Sequence, residues 1–100
     1  MKISILIMAL LCSVSAHTQA QDAVSGKIKY MSCSGCHGAQ GQGSVGPKLQ
    51  GQKAEAIVKK LTAYKAKQQV GPQSASMWGI ASGLSTADIA NIAAYTATLK

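Results

Sequence analysis

The chain has 100 residues, and ten lysines with no arginine against three acids give it a formal charge of +7 at pH 7. That length holds one small domain. With no phenylalanine and four other aromatic residues it excludes a large aromatic core, and the lack of arginine argues against nucleic-acid binding.

Residues 1–20 read as an export signal. Lys2 gives a short positive start, and Ile3 to Val14 form a mostly apolar run too short for a comfortable membrane span. Thr18-Gln19-Ala20 offers small residues for cleavage after Ala20, with Val14-Ser15-Ala16 as a second choice. Leu11 before Cys12 is not the small residue that lipoprotein processing prefers. An uncleaved N-terminal anchor is the alternative. Cleavage removes Cys12 and His17 and leaves a single domain, 21–100, with nine lysines, three acids and a charge of +6. A chain of that size buries only about 60% of its unfolded surface and wants a staple. Export would deliver the domain to an oxidising compartment outside the cytoplasm. The lysines serve either as a solubilising surface or as a positive face that steers acidic partners, and charge alone does not separate the two.

Asp22 to Met31 reads as a first helix, with Val24, Ile28 and Met31 at helical spacing and Asp22 near its start. It leads straight into Cys33-Ser34-Gly35-Cys36-His37. C-x-x-C-H is the sequence signature of covalent c-type haem attachment. Two residues between the cysteines let one helical turn present both sulfurs to one edge of a porphyrin. His37 then aims an imidazole nitrogen at the iron from the same turn. Other readings of C-x-x-C fit less well. A thioredoxin-like dithiol calls for a βαβ pattern, which is missing, and structural zinc needs four ligands where only Cys33, Cys36 and His37 remain after cleavage. A disulfide across so short a span would staple almost nothing. A haem would also supply the large apolar object that a core without phenylalanine lacks.

Gly38 to Gly51 carries five glycines and Pro47, an irregular loop. Lys53 to Lys67 is a second helix with Ile57, Val58, Leu61 and Tyr64 on one side. Gln68 to Ser76, with Gly71-Pro72, is a loop again, and Met77 to Ser82 a short turn of helix. Ser85-Thr86-Ala87-Asp88 has the form of a capping box, followed by Ile89, Ile92, Ala93, Thr96 and Leu99 along one face of a last helix. The reading is all-α, three to four helices without strand, repeat or second domain. Asp88 is accounted for as a cap and Glu55 as a first-turn acid, so no side chain reads as a catalytic acid, base or nucleophile.

A low-spin electron-transfer haem needs a second axial ligand, commonly methionine or histidine. After cleavage no second histidine remains, and the methionines are Met31 and Met77. Met31 sits two residues before Cys33, too close to cross the ring. Met77 comes forty residues after His37, far enough to pass around its edge. Elimination therefore favours Met77. A five-coordinate iron and a lysine ligand are the alternatives left.

From Asp22 to Lys100 the chain resembles the small bacterial monohaem class I cytochromes c. The anchors are Gly26 and Tyr30, Cys33-Ser-Gly-Cys36-His37-Gly38, Gly46-Pro47-Lys48-Leu49-Gln50-Gly51, Met77, and Leu84-Ser85 leading to Ile92-Ala93-Ala94-Tyr95. The resemblance implies the class I cytochrome c fold, helices wrapped around one covalent haem c. It implies that the first and last helices cross at Gly26, with Tyr30, Ile92 and Tyr95 around it. It also implies that the Pro47 carbonyl accepts a hydrogen bond from the second nitrogen of His37, which orients the imidazole and raises its basicity. Residues 66–76 depart from the family pattern, where many members carry Gly and Arg and a shorter approach to the methionine.

The expected function is periplasmic one-electron transfer by an electron-transfer protein and not an enzyme. Its haem would be held by Cys33 and Cys36, its iron by His37 and Met77. The expected partners are redox proteins with acidic docking faces, met by a monomer or by a subunit of a redox complex. No nucleic acid and no membrane insertion after cleavage are expected. One rival is a cytochrome subunit held tightly in a periplasmic oxidoreductase, for example one acting on reduced sulfur compounds. Another is a haem enzyme or gas sensor with an open iron site.

Overall fold

A computed structural model describes residues 22–100; the segment 1–20 read as an export signal lies outside the described residues. Five helices follow one another: α1 Ala23–Tyr30, α2 Ser34–His37, α3 Ala54–Lys65, α4 Ser74–Ser82 and α5 Thr86–Thr96. Among the described residues there is no strand, and no helix is long and apolar enough to cross a membrane.

The start of α1 is set by Asp22, whose carboxylate accepts from the Val24 amide at 2.9 Å and the Ser25 hydroxyl at 2.6 Å. The capping box of α5 is formed in both directions: the Ser85 hydroxyl accepts from the Asp88 amide, and the Asp88 carboxylate from the Ser85 amide, each at 3.0 Å. These two helices make the most extensive contact in the fold. Gly26 makes it feasible, because a Cβ there would lie 1.9 Å from the backbone oxygen of Asn91. Around the crossing the Tyr30 and Tyr95 rings tilt against each other, centroids 5.3 Å apart, and the Asp22 amide donates to the Asn91 side chain at 2.9 Å.

The apolar stripe of α1 faces the other way. Val24, Ile28 and Met31 are 72%, 66% and 73% exposed, while Gly26 and Tyr30 are the buried residues of that helix. Helical spacing locates the helix, but the side that packs is chosen by close backbone approach. Only Gly26, with Tyr30 one turn on, offers a surface that α5 can reach.

The core joins α3 to α5: Ile57 and Leu61 meet Leu84, Ile89, Ile92 and Ala93, with Val58, Tyr64 and Met77 packed against them. Thr96 and Leu99 are buried as well, so the face expected for the last helix is turned inward, Leu99 lying just past its end. Two boundaries differ from the sequence reading. The helix read as 53–67 ends at Lys65, because Lys67 takes φ +57 and turns the chain. The loop read as 68–76 gives way at Ser74, so the short turn read from Met77 is a nine-residue helix, α4. Gly71-Pro72 signals the loop correctly. The helix restarts two residues after the proline because the buried Ser74 binds the turn that Gly71 makes.

Candidate functional site

The C-x-x-C-H segment forms one helical turn, α2. The Cys36 and His37 amides both donate to the Cys33 carbonyl, at 3.2 and 3.0 Å. The glycine-rich loop folds back over this turn: the Gly43 amide donates to the His37 carbonyl at 2.8 Å, and the Gly46 amide to the Cys36 carbonyl at 2.7 Å. Gly38 has φ +87, a left-handed backbone that any Cβ would strain. Its carbonyl accepts the Tyr30 hydroxyl at 2.5 Å, which ties the end of the turn to α1.

His37 is 6% exposed, and its Nδ1 lies 2.7 Å from the Pro47 carbonyl oxygen. A carbonyl can only accept, so Nδ1 carries the hydrogen and Nε2 is left with its lone pair free for a metal. Gly46 lies over the same ring: a Cβ there would come within 2.7 Å of Cε1 and 2.9 Å of Nδ1. The role of Gly46 is missed by sequence reading, since nothing local to Gly-Pro reveals an imidazole nine residues back.

A cavity of about 560 Å³ opens beside this turn. Cys33, Cys36 and His37 line it, together with Met77 and Ile80 of α4 and core residues such as Ile57 and Ile92. Cofactor pockets typically fall at roughly 300–1,000 Å³ with mainly apolar walls and few polar groups. Met31 does not line the cavity and is exposed. Burial pushes the Cys33 thiol up from its ordinary range, the reverse of the activated thiolate that a dithiol nucleophile requires. Among the described residues no three His, Cys, Asp or Glu side chains gather as ligands for a bare metal ion. The donor set lining the cavity therefore suits a large flat apolar group: two thiols, one imidazole whose Nδ1 is held by a carbonyl, and a thioether.

The loop that departs from the family pattern contributes Gly71, Pro72 and Gln73 to the same cavity. Sequence reading also missed Ser74, which is 3% exposed and lines the cavity. A serine just after Gly-Pro-Gln is a hint of a side-chain-bound turn, but its partners depend on how the loop closes.

Comparison with known proteins bears on the whole described region. The sequence model of the family described as cytochrome c matches residues 23–100. The chain belongs to the class I cytochromes c. It is 44% identical over 78 residues to cytochrome c-554(548) of Halomonas halodenitrificans, covering 76% of this chain and 94% of that protein. It is likewise 44% identical over 91 residues to cytochrome c-554(547) of Halothiobacillus neapolitanus, covering 81% of this chain and all of that protein. Cytochrome c-553 of Nitratidesulfovibrio vulgaris is 31% identical over 102 residues, 99% of this chain and all of the relative. The all-helical architecture is that of the class I fold, and membership implies one covalently bound haem c and an electron-transfer role rather than an enzymatic one.

Proposed function

We propose that this cytochrome is a periplasmic one-electron carrier. Cys33 and Cys36 would form the thioethers to its haem, and His37 and Met77 would hold its iron. The observation that carries the reading is one cavity lined by Cys33, Cys36, His37 and Met77 together. The bound haem supplies the iron that exchanges single electrons. The chain's part is to hold and tune it. His37 presents Nε2 because Pro47 holds Nδ1–H, and a carbonyl acceptor there makes the imidazole a stronger donor. Met77 offers a soft sulfur, which would favour the reduced state and raise the potential, as would the apolar lining that Ile57, Leu61 and Ile92 give the cavity. In this reading residues 1–20 direct export and 21–100 are the working domain. The positive charge draws redox partners with acidic faces, which dissociate quickly.

Met77→Ala in the purified holoprotein tests the ligand set. The ferric protein should lose the methionine–iron charge-transfer band and become high spin, its potential should fall, and the ferrous form should bind carbon monoxide readily. A wild-type protein without that band, or a variant that keeps it, sinks the assignment.

The exposed stripe Val24, Ile28 and Met31 favours a second reading, a subunit seated in a periplasmic oxidoreductase such as one acting on reduced sulfur compounds. Size exclusion of native extract separates the two. A free carrier elutes alone, whereas a subunit travels with a larger catalytic chain.

A further inference from the structure

Met77 is flanked by two side chains whose bonds do not go to their own helix. The Ser74 hydroxyl, one turn before it, accepts the backbone amides of Val70 at 2.8 Å and Gly71 at 2.7 Å. The Trp78 indole nitrogen, next to it, donates to the Gln68 carbonyl at 3.0 Å. Both bonds run back to the loop that crosses from α3 to α4. The loop has few other anchors: the Gln68 amide returns to the Ala63 carbonyl at 2.9 Å, and the Ser74 amide to the Gly71 carbonyl at 3.1 Å. The first turn of α4 has no side-chain cap of its own.

Three features make Ser74 more than a surface turn residue. It is 3% exposed, and its hydroxyl is the acceptor for both the Val70 and the Gly71 amide, so losing it unties the loop from α4 at two points. It lies three residues before Met77, on the same side of the same helix and in the wall of the same cavity. And the loop it closes places Gly71, Pro72 and Gln73 in that wall too.

From these contacts we infer that Ser74 and Trp78 are positioning residues: they clamp the 68–73 loop to α4 and so fix the turn that presents Met77 to the iron. The inference rests on the proposed ligation by Met77 and adds what holds that ligand in place. A sulfur ligand on iron competes with any small ligand that reaches the site. The stiffer its mounting, the weaker the competitor binds, because displacing the sulfur also loosens the loop.

The test is a titration of the ferric holoprotein with imidazole, followed by the loss of the methionine–iron charge-transfer band, in wild type, Ser74→Ala, Ser74→Thr and Met77→Ala. Ser74→Ala should keep the band and bind imidazole about tenfold more tightly, the effect of losing one buried hydrogen-bond acceptor. Ser74→Thr, which retains the hydroxyl, should stay near wild type. An unchanged imidazole affinity in Ser74→Ala, even with a lowered melting temperature, overturns the inference and leaves the ligand assignment standing. Persistence of the band in Met77→Ala overturns the ligand assignment itself. If Ser74→Ala yields no holoprotein, Trp78→Phe removes the other tie, and a wild-type imidazole affinity in that variant overturns the clamp.

Discussion

Gly46 lies against the face of the His37 imidazole, where one added methyl group would meet the ring at 2.7 Å. The ring is held on its edge by Pro47 and covered by buried surroundings, so it has little room to give way. Gly46→Ala should therefore cost about 1–3 kcal/mol in chemical denaturation of the holoprotein, the usual scale for overpacking a filled site. It should also shift the midpoint potential by disturbing the His37–Pro47 bond. A variant with wild-type stability and potential would mean that the imidazole is not wedged as the geometry indicates. At this scale, what the sequence discloses depends on chain distance. Cys33, Cys36 and His37 share one turn, and their chemistry can be read from five consecutive residues. Pro47 lies ten residues from His37, and only the family resemblance pointed to it. The contacts of Ser74 and Gly46 could not be read, although Gly46 stood among the anchors of the resemblance, because their partners are settled by loop closure rather than by spacing.

At the level of elements, α1 carries the clearest lesson. Its apolar residues recur at helical spacing, and that periodicity does mark a helix, yet the stripe points to solvent. Periodicity weighs side-chain size, whereas the α1–α5 crossing depends on an absent side chain. The amphipathic patterns of α3 and α5 were readable because there the large residues are the ones that pack: Ile57, Leu61, Ile89 and Ile92 are all buried. A pair of substitutions in α1 separates the two kinds of information. Ile28→Gln should alter stability by no more than about 0.5 kcal/mol, as for other exposed positions. Gly26→Ala, whose Cβ would lie 1.9 Å from the Asn91 oxygen, must push α1 off α5 and should cost upwards of about 2 kcal/mol. Thermal melts of both holoproteins give the comparison directly. Comparable losses would mean that the stripe, not the glycine, carries the packing.

For the whole molecule, acid stability hangs on the helix starts. Asp22 is held below the ordinary carboxylate range chiefly by the Ser25 hydroxyl, then by the Val24 amide; Asp88 is held below it chiefly by the Ser85 amide, with the Ser85 hydroxyl and Lys29, 3.6 Å away, adding to the effect. A carboxylate whose folded value lies below its unfolded one stabilises the fold fully above the unfolded value, near 3.9. That contribution disappears as pH falls through the folded value. The melting temperature should thus be flat through the neutral range and drop below about pH 4. Asp88→Asn should be less stable than wild type at pH 7, and the gap should narrow as the pH falls into the acid range. A gap that stays constant with pH would show that the charge of Asp88 is irrelevant and only its shape matters.

The pairing of α1 with α5 has a consequence in time as well as in space. The Asp22 amide reaches the Asn91 side chain across 69 residues, so the first of the described helices is completed by the last. Closing so long a loop costs entropy that no local contact returns early. A chain truncated anywhere before α5 leaves Gly26 of α1 without the Asn91 backbone it packs against. Folding of this cytochrome therefore waits for α5, and the decision to fold is taken by the two outer helices of the described domain together.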